Sequence, residues 1–302
     1  MSSIPSAETE ARLRAVLVAS NQPTEGRLRP IRQGLWRWTV GDADLALKLF
    51  DGPNAHERLR TEAALYRKLW QAGAPVPEFV AKATDARALA RVWITGRTVF
   101  QRLLAADKPN ASQAETVSRT WLRLLQALAP WNARITASRH QEALRKRKME
   151  LAAVAHGVAQ AFPSVPSDAI DDLRQALASD DLALIPLDAS PSNIVVDGDR
   201  ATFIDLEILG LDFADWTYAK YVTAVGEAGA VLSLADCRMD ELASDGLDAA
   251  VTLLALARAA GLWGKPRNLP ADMANHIPGR SRAARRVRAG LRLESGVTSD
   301  CG

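Results

Sequence analysis

Along the first hundred residues the apolar positions fall in short alternating runs, and after Thr98 they recur at helical spacing. The chain opens with a predicted amphipathic helix over 7–19, with Ser6 as its N-cap and Leu13, Val16 and Leu17 on one face. Three short strand-like runs follow, "LRPIRQ", "LWRWTV" and "LALKLF", separated by the turn-like "QG" and "GDAD"; consecutive strands of this kind predict an antiparallel meander. A helix is expected over 54–71, with Leu59, Ala63, Tyr66, Leu69 and Trp70 as its apolar face and Gly73 ending it. "APVPEFV" reads as an extended, proline-stiffened connection, "ALARVWIT" as a further strand and "TGR" as the turn that leaves it.

Helical periodicity then takes over. "AETVSRTWLRLLQALA" places Val117, Trp121, Leu124, Leu125 and Leu128 on one face, and "HQEALRKRKMELAAVAHGVAQAF" and "SDAIDDLRQALAS" read as helices too. "LALIPLD", "NIVVDG" and "ATFIDLE" interrupt them as short extended pieces, the last two joined by "DGDR" as a hairpin, and helices resume from Trp216 to the end. The pattern predicts an α+β protein: a small antiparallel sheet with one long helix over residues 1–97, then a larger, mainly helical part over 98–302.

Composition changes this picture little. The 302 residues are 48% apolar and 24% charged, ordinary for a globular protein, and a net charge of +3 gives no case for nucleic acid. Cys237 and Cys301 form no cluster, and His56, His140, His156 and His276 fall at no metal-ligand spacing, which argues against a zinc site or a disulfide framework. "MSSIPSAETEARLRAVLVAS" lacks the basic and then apolar stretches of a signal peptide, and no window is long and apolar enough to span a bilayer; a cytoplasmic protein with no membrane partner is expected.

The candidate chemistry lies in "PLDASPSNIVVDGDRATFIDLE". Asp188 and Asn193 end one tight loop stiffened by Pro191, and Asp205 emerges from an apolar run between Ile204 and Leu206. A carboxylate at an apolar strand end is costly to desolvate unless a cation or hydrogen bonds compensate, and magnesium takes oxygen ligands of this type.

The spacing D-x4-N followed by "IDLE" resembles the aminoglycoside phosphotransferase and choline kinase family of protein-kinase-like enzymes, with its H-G-D-x4-N loop and I-D-x-E metal motif. "LALKLF" resembles the third-strand pattern V-A-I-K, and "RTEAALYRKLWQAGAPVPEFV" the helix that supplies the lysine's glutamate. The likeness runs in order through residues 28–225 and implies a bilobal fold, with residues 1–97 as a nucleotide-binding lobe and 98–302 as a helical lobe carrying the catalytic loop and acceptor site.

By the same resemblance, Lys48 would hold the α- and β-phosphates of ATP with Glu62 orienting it. Asp188 would be the catalytic residue that meets the acceptor hydroxyl, and Asn193 and Asp205 would bind Mg²⁺. Ala46, Ile204 and Val195 would press on the adenine, with backbone around Trp93–Gly96 at its edge, Glu207 next to the metal aspartate, and Asp215 bracing the loop. The implied activity is transfer of the γ-phosphate of ATP to a hydroxyl of a small molecule, an amine-bearing metabolite or an aminoglycoside-like antibiotic.

Two departures keep an alternative open, a catalytically impaired nucleotide-binding module. Pro186 and Leu187 stand where the family has His and Gly, so the loop must be braced otherwise; and "IRQGLWRWTV" holds a single glycine, Gly34. Trp36 and Trp38 share one strand face, which either covers a nucleotide or belongs to the core. Charge leaves the acceptor unnamed: the acids from Glu207 to Asp248 form either a wall suited to an amine or a solvated surface, and the arginines of "GRSRAARRVRAGLR" either clamp an anion or pair with nearby acids.

Overall fold

A computed structural model describes residues 5–105, 111–178, 182–206, 208–227, 244–262 and 281–294. By contact the chain divides into two units, residues 1–96 with 195–207 and residues 97–194 with 208–302. The architecture is α+β, with an antiparallel sheet in the first unit and helices dominating the second.

The first unit begins with helix α1 (Ala7–Ala19), where the Ser6 hydroxyl accepts from the Thr9 N–H at 3.2 Å as the expected N-cap. Strands β1 (Arg27–Arg32), β2 (Leu35–Val40) and β3 (Ala43–Leu49) form the meander. Helix α2 (Ala55–Gln71) follows, then β4 (Phe79–Ala83) and β5 (Ala88–Val92), and the sheet order is β1-β2-β3-β5-β4, antiparallel throughout. The hairpin β8 (Ile194–Asp197) and β9 (Arg200–Phe203) leads into residues 204–206, and the Phe203 N–H donates to the Pro75 carbonyl at 2.9 Å.

Strand alternation divides the side chains of β3 between two faces. Leu45, Leu47 and Leu49 pack with Leu13, Val16 and Leu17 of α1 in one buried cluster, each side chain contributing roughly 1.5–3 kcal/mol by leaving water. Trp36 and Trp38 belong to this cluster, which decides their role: they are core beneath α1. The Arg12 guanidinium ties α1 down by donating to the carbonyls of Ala86 and Phe50, both at 2.8 Å, and to Asp51 at 2.7 Å. Ala46 and Lys48 alternate onto the other face.

Two expectations are corrected in this unit. Trp70 is 45% exposed, because the buried stripe of α2 runs through Leu59, Glu62, Ala63, Tyr66 and Leu69 and a residue one step beyond Leu69 is turned by roughly 100°. The segment read as a connection continues into the edge strand β4, whose five residues are too few to carry a clear strand signal by themselves.

Gly96 illustrates how tightly the returning hairpin is received. Its φ is +109°, and a Cβ there would sit 2.7 Å from the Val196 carbonyl oxygen. The Gly96→Ala variant is expected to lose about 1–3 kcal/mol from backbone strain and displacement of β8, read as a lower denaturant midpoint with an unchanged slope.

In the second unit, β6 (Arg97–Thr98) and α3 (Val99–Leu104) precede the long helices α4 (Ala111–Asn132), α5 (Ala137–Ala161) and α6 (Ser167–Ala178). Strand β7 (Ala183–Pro186) pairs antiparallel with β10 (Leu209–Asp212), a strand the sequence reading did not foresee. Helices α7 (Ala214–Glu227), α8 (Asp245–Ala259) and α9 (Arg282–Glu294) complete the unit. The Asn132 side-chain oxygen accepts from the Leu184 N–H at 2.6 Å and fastens β7 to the end of α4. No described helix is long and apolar enough to cross a membrane.

Candidate active site

Lys48 is buried at the end of β3, a position that alternation assigns to the face of the sheet away from α1. Its ammonium lies 2.8 Å from Glu62 Oε2 and 3.2 Å from Asp205 Oδ1. One lysine therefore joins strand β3, helix α2 and the segment after β9, and the distances match charge-assisted hydrogen bonds. Glu62 is fully buried on the stripe that α2 turns inward. Burial pushes its carboxyl above the usual carboxylate range, against the pull of Lys48 and Arg91. A buried acid of this kind persists where a cation answers it, so Glu62 and Lys48 hold one another in place.

Asp205 carries two cations. Besides Lys48 on Oδ1, Arg32 at the end of β1 donates Nη2 to Oδ2 at 2.6 Å. Burial pushes this carboxyl up, but Lys48 and Arg32 together outweigh it and hold the group below the usual range, so it is an anion at neutral pH. Its backbone is pinned as well. The Ile204 carbonyl accepts from the Tyr66 hydroxyl at 2.7 Å and from the Arg91 guanidinium. Burial pushes the Tyr66 hydroxyl above its ordinary value, which keeps it a neutral donor.

Ala46 is buried and pairs with Arg37 on β2 and Arg91 on β5. Trp93 follows β5, half-buried, with its N–H donated to the Asp44 carbonyl at 2.9 Å and its ring 4.9 Å from the Arg37 guanidinium carbon. Asp44 holds that guanidinium by two hydrogen bonds, 2.8 and 2.5 Å. Lys48, Glu62, Asp205 and Ile204 are thus brought into one network within the first unit, with Ala46 and Trp93 on neighbouring strand positions.

Asp188 and Asn193 are brought together within the second unit. A short 3₁₀ turn (Pro191–Asn193) bends the loop so that Asn193 Nδ2 donates to Asp188 Oδ2 at 3.0 Å and to the Asp188 carbonyl at 3.3 Å. The Ser190 N–H donates to Asp188 Oδ1 at 3.2 Å, an Asx-type turn that holds the exposed carboxylate in one orientation. The Asn193 amide is buried and spends its nitrogen on Asp188; its oxygen is of the type a hard cation takes.

Pro186 and Leu187, which stand where the family has His and Gly, lie at the end of the β7–β10 ribbon. Leu187 donates its N–H to the Ile208 carbonyl at 3.0 Å. Its side chain lies against Gly210, where a Cβ would stand 2.7 Å from Leu187 Cδ1. The leucine that replaces the family's glycine is accommodated by a glycine on the partner strand.

Among the described residues no group of three or more His, Cys, Asp or Glu side chains forms a metal cluster. Magnesium shared with substrate phosphates needs only one or two protein oxygens, and the ionised Asp205 and the Asn193 amide oxygen are of the right chemistry. Glu207 lies outside the described residues.

Charge elsewhere in the second unit bears on two expectations; of the residues they cover, Asp236, Asp240, Glu241 and Arg280 lie outside the described residues. The acids read as a possible wall are in part internal, since Asp212 is 1% exposed and Asp248 is buried and accepts from the Ser281 N–H at 2.9 Å. Asp215 accepts from the Ser244 hydroxyl at 2.6 Å. In the arginine-rich α9, Arg286 bridges Asp168 at 2.6 Å and Asp172 at 3.4 Å, the nearby acids of α6.

Sequence reasoning passed over Arg32, Tyr66 as a hydrogen-bond donor, and Arg91. Arg91 carried a usable signal: in "ALARVWIT" it is a cation at an inward position of an apolar strand, where an unpaired charge is too costly to persist. Arg32 ends the mostly exposed edge strand β1 and carried none.

The sequence profile of the phosphotransferase enzyme family matches residues 31–261. The chain belongs to that family. A search of the curated proteins finds no match. Among solved structures, the chain is similar to a choline/ethanolamine kinase family protein from Mesorhizobium loti, at 15% identity and a TM-score of 0.48, covering 95% of this chain and 98% of that one. It is also similar to choline kinase LicA from Streptococcus pneumoniae, at 11% identity and a TM-score of 0.43, over 89% and 92% of the two chains. A third is the streptomycin–ATP–APH(2″)-IIa ternary complex, at 14% identity and a TM-score of 0.45, over 97% of each.

Proposed function

We propose that the protein is an ATP-dependent phosphotransferase that moves the γ-phosphate to a hydroxyl of a small molecule. The observation that carries this reading is the buried Lys48–Glu62–Asp205 network, in which a lysine is held by two carboxylates from distant parts of the chain. It supports the reading because an ammonium buried between a carboxylate of α2 and one of the segment after β9 is the lysine, glutamate and aspartate set that the resemblance assigns to phosphate and metal binding.

In this reading Lys48 neutralises the α- and β-phosphates and Glu62 fixes its position. Asp205 and Asn193 are the residues that would hold Mg²⁺, which would supply charge neutralisation on the phosphate oxygens. Asp188, exposed and oriented by Ser190 and Asn193, aligns the acceptor hydroxyl and takes up its proton as that oxygen bonds to the γ-phosphorus and the bond to the bridging oxygen breaks, releasing ADP. Ala46, Ile204 and Trp93 serve the base of the nucleotide. The hydrogen bond of Leu187 to Ile208 and its contact with Gly210 support a loop held in place despite Pro186 and Leu187 standing where the family has His and Gly.

The test is a mass-spectrometric screen for phosphorylated product with Mg·ATP across amines, sugars, hydroxy acids and aminoglycosides. A product gaining one phosphoryl group, with ATP turnover faster than without acceptor, is expected. Absence of any product together with no Mg·ATP binding by calorimetry would remove the reading.

A further inference from the structure

The two cations on Asp205 differ in setting. Lys48 reaches Oδ1 at 3.2 Å with its side chain only 10% exposed, whereas Arg32 reaches Oδ2 at 2.6 Å with its side chain 51% exposed. A half-exposed guanidinium on a carboxylate that is itself 15% exposed closes that carboxylate from the solvent side. The contact is not required to hold the segment in place. Lys48 already sets a positive charge on Oδ1, and Tyr66 and Arg91 hold the backbone at the Ile204 carbonyl. An ion pair with one half-exposed member also contributes little stability. The closure of Oδ2 therefore asks for another explanation.

The backbone at Arg32 suits a side chain that changes partner. Arg32 ends β1, an edge strand whose only neighbour in the sheet is β2, and the pairing register shifts between Pro30 and Arg32. The turn that follows contains Gly34, at a φ of +71°. Arg32 stands opposite Leu35, and Leu35 stands opposite Lys48. Two strand spacings, about 10 Å, thus separate the backbones of the two cations, which a long arginine side chain covers. Re-aiming that side chain breaks no ladder hydrogen bond.

Arg32 and a metal ion on the same oxygen exclude one another. Oδ2 has its lone pairs turned to the guanidinium, and a divalent cation there would face a like charge a few ångströms away. Phosphate oxygens offer the guanidinium a second partner, because its planar fork fits phosphate as well as carboxylate. Resting on the phosphotransferase reading, we propose that Arg32 is a movable cap on Asp205. In the empty site it stands on Oδ2 in the metal's place. When the triphosphate arrives, Arg32 transfers to phosphate oxygens and frees Oδ2, so Asp205 takes its metal together with the nucleotide and not ahead of it.

The experiment uses the full chain and two probes. Mn²⁺ alone is followed by paramagnetic resonance of the free ion, and Mn·AMP-PNP, whose γ-phosphate resists transfer, by calorimetry. Arg32→Gln should bind Mn²⁺ alone at least about fivefold more tightly than wild type, and Mn·AMP-PNP at least about threefold more weakly. A role confined to holding the fold would move both affinities the same way, with circular dichroism reporting the fold. Arg29→Gln, which removes the same charge from an exposed position of the same strand, should leave both affinities unchanged. Adding Asp205→Asn to Arg32→Gln should abolish the gain for Mn²⁺. Arg32→Met gives the same reading should Arg32→Gln not fold. No gain for Mn²⁺, no loss for Mn·AMP-PNP, a gain that survives Asp205→Asn, or the same changes in Arg29→Gln would each overturn the cap. If wild type binds Mn·AMP-PNP and Arg32→Gln matches it, only the cap falls; if wild type does not bind it, the phosphotransferase reading falls as well.

Discussion

Asp188→Asn should lower phosphoryl transfer by about 10²–10⁴-fold while leaving Mg·ATP affinity unchanged. Asparagine is nearly isosteric and loses only the hydrogen bond from Asn193 Nδ2 to Oδ2, while the one to the Asp188 carbonyl remains, so the fold of the loop should survive. The Ser190 N–H can still donate to the side-chain oxygen, and the ribbon brace at Leu187 does not involve this side chain. What disappears is a charge able to align the acceptor hydroxyl and receive its proton. The measurement is product formation with whichever acceptor the screen yields, beside calorimetric titration with Mg·ATP. Transfer at the wild-type rate would strip Asp188 of its role. Lost nucleotide binding would place it in the nucleotide site instead.

Lys48→Met is expected to have the second large effect, on stability and binding together. Removing one partner of a buried ion pair typically costs 3–5 kcal/mol; because Arg91 also acts on Glu62, the lower end, about 3 kcal/mol, is expected. The loss should depend on pH with a definite sign. Without Lys48 the Glu62 carboxyl, already raised by burial, is raised further. A group whose folded value exceeds its unfolded one contributes stability below the unfolded value and loses it as pH rises through the folded one. Urea denaturation at about pH 5 and about pH 8 should therefore show the variant closer to wild type at the acidic value. The double variant Lys48→Met/Glu62→Leu should regain most of the stability, since no uncompensated charge remains, yet neither should bind Mg·ATP as wild type does. Equal losses at both pH values would sink the account of Glu62 as a buried acid held by Lys48.

How much was legible differs from residue to residue. Ser6, Leu13, Val16 and Leu17 were readable because a cap and a 3.6-residue stripe are local properties of the chain. Lys48, Glu62, Asp188, Asn193 and Asp205 were readable as residue types at a family's spacing, and the profile match over 31–261 bears out the family. Trp36 and Trp38 were ambiguous by alternation alone. Which face of a sheet is covered depends on where α1 lies, and only the packed cluster decides it. Trp70 was misplaced because a stripe two residues wide and one three residues wide look alike until the neighbouring strand is known. Strands β4 and β10 were missed because each is short and becomes a strand through its partner's hydrogen bonds more than through its own composition.

Taken by itself, the chain's order of residues determined most of the helices, the β1–β3 meander and the family to which the chain belongs. Those are properties of local sequence, set by backbone sterics, periodicity and side-chain chemistry. Packing alone decided that residues 195–207 leave their neighbours in sequence and join the first unit. It also decided that Lys48 answers two carboxylates, that Arg32 covers the second oxygen of Asp205, and that Leu187 is braced against Gly210. The physical reason is the same in each case. The partners stand up to 173 positions apart, and the energy of an ion pair or a close contact depends on distance in space, which no local pattern encodes.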